Sequence, residues 1–372
     1  MTTGHQTAPQ LTDYSYAMNT DATAPRTLCL LRLSAIGDTC HVVPLLLSLQ
    51  AAWPETRFTW VIGKTEAKLM RLISGVEFIE YDKRTGLAGL LMLRKRLQHR
   101  EFDVLLDLQH SLRASAVSLC IRANRRIGFD RARARELQWL FTNERVAARR
   151  DEHVLDSFLG FADALGVSAR VQDWILPLPV EAVARAGALI PPNQRTLVIS
   201  PCASHPLRNW SAEKYARVAD HASRAQGMRV LLCGGRSPQE RAMADAILAH
   251  ARTFPVDLVG QDTLPELLAV LARATVLLSP DSGPVHMATL VNTPVIGLYA
   301  ATRLTRSGPY RSQRWCVDAY DRAAQQFLKR KPQQLEWTRK IELPGVMDLI
   351  RVDQVIAQLR RLLVAVSTGR AA

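Results

Sequence analysis

Short apolar runs and helix-like segments alternate along this chain in two successive rounds, and that order restricts the fold more than anything else in the sequence. In the first round, Thr27–Leu33, Arg57–Ile62, Val76–Tyr81, Val104–Leu108 and Arg126–Phe129 read as strands. Helical stretches fill the gaps, as at Leu87–Gln98 and Ser111–Arg122, and a longer one from about Glu152 to Leu165 stops at Gly166. The extended piece Asp173–Pro179 and the linker signal Pro191-Pro192-Asn193 follow. The second round starts at Thr196–Ser200. It continues with helix Ser211–Gln226, strand Met228–Cys233, helix Pro238–His250, strand Val256–Val259, helix Leu264–Arg273 and the apolar run Ala274–Ser279. Parallel strands need a crossover between them, and helices supply it here, so the pattern predicts an α/β fold of two doubly wound sheets. Ligands of such sheets bind at the carboxyl ends of the strands, in this case in a cleft between two domains.

The expected divisions are residues 26–190, residues 191–350, and a last helix within 351–372, about Asp353 to Val364, that packs back on the first domain. Residues 1–25 are polar and lack the basic-then-apolar order of a secretion signal. They read as a disordered tail, with Met18 as a candidate natural start. No run of about twenty apolar residues occurs, so no spanning helix is expected. Six cysteines without Cys-x-x-Cys spacing suggest buried free thiols in a reducing cytoplasm.

Two strand–turn–helix segments carry the chemistry. The later one runs Pro280-Asp281-Ser282-Gly283-Pro284-Val285-His286-Met287 between an apolar strand and a helix start. The first N–H groups of a helix lack internal partners and sit in the positive end of its dipole, which suits an anion. Gly283 allows close backbone approach to a ligand, and Pro284 suits a first turn. Asp281 has the wrong charge for a phosphate and fits a hydroxyl-rich part of a ligand; an ordinary helix cap at Asp281 or Ser282 is the plainer alternative. The earlier segment is Arg32-Leu33-Ser34-Ala35-Ile36-Gly37-Asp38, placed between the first strand and a helix from Thr39 to about Ala52.

The chain carries a formal net charge of +14, and most of it is concentrated in one stretch. Between Lys83 and Arg150 there are 16 Lys and Arg against 6 Asp and Glu. Solvated helix faces explain any single arginine; the concentration suggests a polyanionic partner, such as an acidic membrane surface or an anionic glycolipid. Nucleic acid is disfavoured, because the stretch has no recognisable binding motif and little aromatic interleaving.

The pair of motifs at 32–38 and 281–286, in this order and at this spacing, resembles glycosyltransferase family nine, the heptosyltransferases of lipopolysaccharide core assembly. The resemblance covers roughly residues 27–360 and implies the GT-B architecture, two Rossmann-like domains facing a central cleft. It implies that Asp38 is the base that takes the acceptor hydroxyl proton; the residue-level alternative is a helix cap. It implies that the donor's diphosphate rests on the 282–287 amides, with Arg208 standing where the family usually has a Lys before Trp. A surface ion pair is the alternative for Arg208. His286 is either a phosphate donor or a histidine packed against the sheet. Glu240, after Gly234-Gly235, matches the acid that holds ribose hydroxyls in related GT-B enzymes, and it also suits a first helical turn.

Asp107-Leu108-Gln109-His110-Ser111-Leu112-Arg113 and Ile127-Gly128-Phe129-Asp130 with Ala134-Arg135-Glu136 resemble the heptosyltransferase I subgroup, which adds the first heptose to Kdo on lipid A. Arg113, Arg126 and Arg135 are the candidate acceptor contacts. No Asp-x-Asp spacing or metal-ligand cluster occurs, so neither a metal nor another cofactor is called for. The expectation is an inverting transferase acting on ADP-heptose and Kdo–lipid A at the cytoplasmic face of the inner membrane. The alternatives are another sugar or acceptor, such as the second heptose, a nucleotide-sugar epimerase, or a non-catalytic polyanion-binding protein.

Overall fold

A computed structural model describes residues 23–368 of the chain. Apart from residues 23–25, the proposed tail and the start at Met18 lie outside this range. The first sheet has six strands, β1 (Thr27–Arg32), β2 (Arg57–Gly63), β3 (Val76–Tyr81), β4 (Glu101–Asp107), β5 (Arg122–Gly128) and β6 (Glu144–Arg145), in the order β3-β2-β1-β4-β5-β6. The second has β7 (Thr196–Ile199), β8 (Arg229–Leu232), β9 (Val256–Asp257), β10 (Val276–Pro280), β11 (Val295–Tyr299) and β12 (Val317–Asp318), in the order β9-β8-β7-β10-β11-β12. Every pairing in both sheets is parallel. The two sheets therefore repeat one topology, which reverses direction between their first and fourth strands. That reversal opens a crevice for ligands at the carboxyl ends of β1 and β4, and of β7 and β10.

The helices are α1 (Ile36–Ala52), α2 (Lys64–Met70), α3 (Gly86–Leu97), α4 (Leu112–Ser118), α5 (Val154–Ala164), α6 (Val180–Leu189), α7 (Ala212–Gln226), α8 (Pro238–His250), α9 (Leu264–Arg273), α10 (Gly283–Thr289), α11 (Leu304–Ser307), α12 (Tyr320–Leu328) and α13 (Val352–Ser367). Alternation along β1 sorts its side chains into two layers. Leu28 and Leu30 join one buried cluster, while Cys29 and Leu31 join another beneath α3 and α4. The first of these clusters also takes in Val198, Leu231, Leu277 and Val285 of the second half, so a continuous apolar layer runs between the two sheets. The α1 and α10 helices meet within it.

Three expectations change. The last helix does not return to the first half: Val355, Leu359, Leu362 and Leu363 are buried in the second half's own cluster, against α7, β11 and β12. The α6 helix precedes Pro191 yet packs on α9, with Arg185 paired to Asp262 at 2.9 Å, so this stretch sits with the second half rather than the first. Arg122, expected at a helix end, opens β5. All six cysteines are free, and Cys29, Cys40, Cys233 and Cys316 are buried. No helix among the described residues is long and apolar enough to cross a membrane.

Candidate active site

The two motif turns meet. The turn after β1 leads into α1 at Ile36, and the turn after β10 leads into α10 at Gly283. A Cβ on Gly37 would lie 2.6 Å from His286 Cδ2, so only glycine fits there. A Cβ on Gly283 would lie 3.5 Å from Ile36. Gly283 thus stands where the two halves touch, and it also lines the cavity, where the sequence suggested an approach to ligand. Beside this contact opens a cavity of about 810 Å³, lined from the first half by Asp38, His41, Glu66 and Arg135 and from the second by Arg208, Glu240, Asp281, Ser282, Gly283, Pro284, His286 and Arg306.

Asp38 is the third residue of α1, which starts three residues earlier than the sequence suggested. One carboxylate oxygen, Oδ2, is ion-paired with Arg32 and accepts the Ala35 N–H at 3.4 Å. Capping and catalysis are therefore compatible roles for it. Arg32 is held in turn by the Leu108 carbonyl. Burial works against ionisation of Asp38, but Arg32, the Ala35 N–H, His286 and Arg306 outweigh it and hold the carboxyl below its usual range. At neutral pH the group is a carboxylate, able to accept a proton.

In the second turn, Ser282 holds the N-cap position without capping through its side chain. Its hydroxyl is 2.8 Å from that of Ser279 instead. Asp281 accepts from the Ser307 hydroxyl at 3.3 Å, and His286 Nε2 lies 3.9 Å from it. Val285 is fully buried in the apolar layer, does not line the cavity and donates its N–H to the Ser282 carbonyl at 3.2 Å, so it leaves the set of donor contacts. Glu240 accepts the Gly235 N–H and the Ser237 hydroxyl, both at 2.6 Å, and lies in the first turn of α8. Arg208 reaches the cavity wall but is paired with Glu342 at 2.6 Å.

The three acceptor candidates part company. Arg135 lines the main cavity and bonds Thr338 of the second half. Arg113 lines a separate cavity of about 310 Å³ together with Lys64, Lys68, Lys83 and Arg84. Arg126 is structural: its guanidinium donates to the carbonyls of Phe141, Ile121 and Ser118 at 2.7–2.9 Å, which removes it from the acceptor set. Arg125 and Arg133 are likewise engaged, with Glu144 and with Asp130 and Glu152. Part of the basic stretch therefore serves the fold.

Composition and spacing gave no sign of Glu66 or Arg306. Glu66 is 7% exposed and lines both cavities, and burial raises its pKa. The acid and the arginine reach the site from α2 and α11, short helices without a periodic signature. No group of three or more potential ligands among the described residues is placed to hold a metal ion.

Three histidines from α1, the N-cap of α5 and α10 stack where the halves meet. The His41 ring centre is 4.3 Å from His286 and 5.3 Å from His153. His153 donates Nε2–H to the Gly308 carbonyl at 2.9 Å and accepts the Leu155 N–H at Nδ1. Burial lowers all three pKa values, that of His153 to about 4. A histidine with a depressed folded pKa costs stability only when protonation of the unfolded chain begins, below about pH 6.5, and the loss grows until the folded pKa is reached. His153 alone should cost about 2 kcal/mol at pH 5 relative to pH 7.5. A calorimetric melting temperature that stays level between those pH values would mean that the three rings are not held neutral.

Comparison with known proteins gives a consistent picture. Residues 90–337 match the family model described as glycosyltransferase family 9 (heptosyltransferase). The lipopolysaccharide core heptosyltransferase OpsX of Haemophilus influenzae is 38% identical, over 91% of this chain and 97% of its own. Among solved structures, a family 9 glycosyl transferase from Veillonella parvula superposes with a TM-score of 0.75 at 22% identity, covering 92% of this chain and 99% of that one. The Escherichia coli heptosyltransferase WaaC with ADP gives 0.69 at 20% identity, over 90% and 99%. These two likenesses bear on the fold, which is that of the GT-B heptosyltransferases.

Proposed function

The chain belongs to glycosyltransferase family 9, and from that membership we propose that it transfers heptose from ADP-heptose to a Kdo residue of the lipid A inner core, with inversion at the anomeric carbon. The observation that carries this reading is that Asp38 and the α10 turn line one cavity. An inverting displacement needs a base on one side of the sugar and a stabilised leaving group on the other. The acceptor oxygen bonds to the anomeric carbon as the carbon–phosphate oxygen bond breaks. Asp38, kept ionised by Arg32, takes the hydroxyl proton, and ADP departs with the bonding pair. The Gly283 N–H at the start of α10 would meet the departing phosphate, and Glu240, which lines the same cavity, suits the ribose hydroxyls. The named ligand of the Escherichia coli relative, ADP, agrees with such a donor.

The acceptor reading is supported by the smaller cavity, whose wall carries Lys64, Lys68, Lys83 and Arg113 beside the Arg84–Asp82 ion pair and which shares Glu66 with the main one. An acidic sugar seated among these cations would present a hydroxyl toward Asp38. The α3 helix begins beside Lys83 and Arg84 and exposes Leu87 (79%), Leu91 (67%) and Met92 (61%), followed by Arg94, Lys95 and Arg96. Apolar side chains bordered by cations suit the surface of an anionic bilayer, where the lipid of the acceptor would remain. Changing Arg94, Lys95 and Arg96 to Gln should lower binding to vesicles containing anionic lipid by about 1 kcal/mol per charge and raise the KM for the glycolipid, with ADP affinity unchanged. Vesicle sedimentation that does not distinguish the variant from the parent would remove α3 from the membrane surface.

The direct assay offers ADP-heptose and Kdo–lipid A to the purified chain and follows the product by mass spectrometry. Addition of one heptose to the unheptosylated acceptor supports the reading. Transfer only to an acceptor that already carries heptose selects the second-heptose alternative.

A further inference from the structure

Loss of the sugar leaves ADP with added negative charge, and a cation near the second phosphate would stabilise it. The arginine that sequence reasoning singled out, Arg208, already has a carboxylate partner in Glu342. A second guanidinium in the same cavity has none. Arg306, on α11, lines the cavity and makes no side-chain hydrogen bond or ion pair among the described residues. Three positions earlier, Arg303 stacks on Tyr320 and Trp337 at 4.5 and 4.9 Å and donates to the Pro332 carbonyl. The contrast within one short segment separates an arginine engaged by the fold from one left without a partner at the cavity wall.

Arg306 is also held firmly. Ser307 bonds Asp281 of the donor turn, and the Gly308 carbonyl accepts from His153, so α11 is fastened on both sides of the site. Asp38 and Asp281 act on it electrostatically, but neither lies within ion-pair distance, and burial disfavours its charge. A largely desolvated cation without a contact partner is costly by itself and favourable once an anion joins it. The planar guanidinium fork matches two phosphate oxygens.

We propose that Arg306 binds the second phosphate of the donor's diphosphate and takes up the charge of the leaving group, an assignment that rests on the nucleotide-sugar reading above. As the anomeric carbon–oxygen bond breaks, its electron pair stays on the phosphate oxygen that Arg306 contacts, while the proton goes to Asp38. Arg208, neutralised by Glu342, shapes the wall instead of supplying free charge.

Calorimetric titration of the full chain with ADP and AMP tests this, because AMP lacks the second phosphate. Arg306→Gln should weaken ADP binding about 10- to 100-fold and AMP binding less than about threefold, and it should lower kcat as well. Arg306→Lys should recover part of the ADP affinity, and melting curves of both variants report whether the fold survives. Glu240→Ala serves as the contrast, weakening ADP and AMP alike. Equal losses for the two nucleotides in Arg306→Gln, or no loss for ADP, overturn the proposal. If the parent chain binds no ADP, the donor reading fails, and inorganic pyrophosphate becomes the probe: Arg306→Gln must still weaken it at least about tenfold, and an unchanged affinity again overturns the assignment.

Discussion

Asp38→Asn should lower turnover by about 10²–10⁴ while ADP binds nearly as well as before, because the change removes a proton acceptor and leaves the donor side of the cavity intact. The substitution also deprives Arg32 of its counter-ion, and Arg32 is only 8% exposed. Some loss of melting temperature is therefore expected alongside the kinetic effect. The two consequences separate cleanly if kcat is measured well below the melting point and ADP binding is followed in the same preparation. Normal turnover in a destabilised variant would reduce Asp38 to a first-turn residue that closes the start of α1.

Gly37→Ala should be nearly as damaging, although it adds a single methyl group. The new Cβ would come 2.6 Å from the buried His286 ring, which already stacks on His41 at 4.3 Å and has little room to withdraw. Overpacking of this kind costs about 1–3 kcal/mol. The relief available is to push α1 and α10 apart, and that displaces Asp38 from the donor turn. A shift of about 1 Å between reacting groups can lower the rate about 10²-fold. Parallel measurement of kcat and melting temperature checks this; a variant with the parent's kcat would show that the contact between the helix starts does not set the catalytic distance.

Much of the architecture was legible because its determinants are local. A buried parallel strand is a continuous apolar run, a crossover helix is punctuated by Gly and Pro, and both motif turns sit where one ends and the other begins. Asp38, Glu240 and Asp281 could be read from such turns, since each lies within eight residues of the strand end before it. What stayed hidden depends on contacts distant in sequence. Nothing near Val285 tells that it turns into the layer between the sheets, and nothing near Arg126 tells that three carbonyls of its own loop and helix await it. The pairing of Arg208 with Glu342 spans 134 positions, so its neutralisation had no local sign. The α6 helix was passed over between Asp173–Pro179, which read as an extended piece, and Pro191-Pro192-Asn193, which read as a linker, whereas Pro179 occupies the helix's N-cap.

The apolar layer shared by the two halves bears on how the molecule comes apart. Leu28 and Leu30 from one sheet and Val198 and Leu277 from the other belong to the same buried cluster, so parting the halves would expose hydrocarbon to water on both sides. Motions that admit substrate should then be small rotations that keep this layer covered, rather than wide swings of independent bodies. Heated in a calorimeter, the chain should melt in a single cooperative transition, with neither half persisting as a folded remnant after the other has gone.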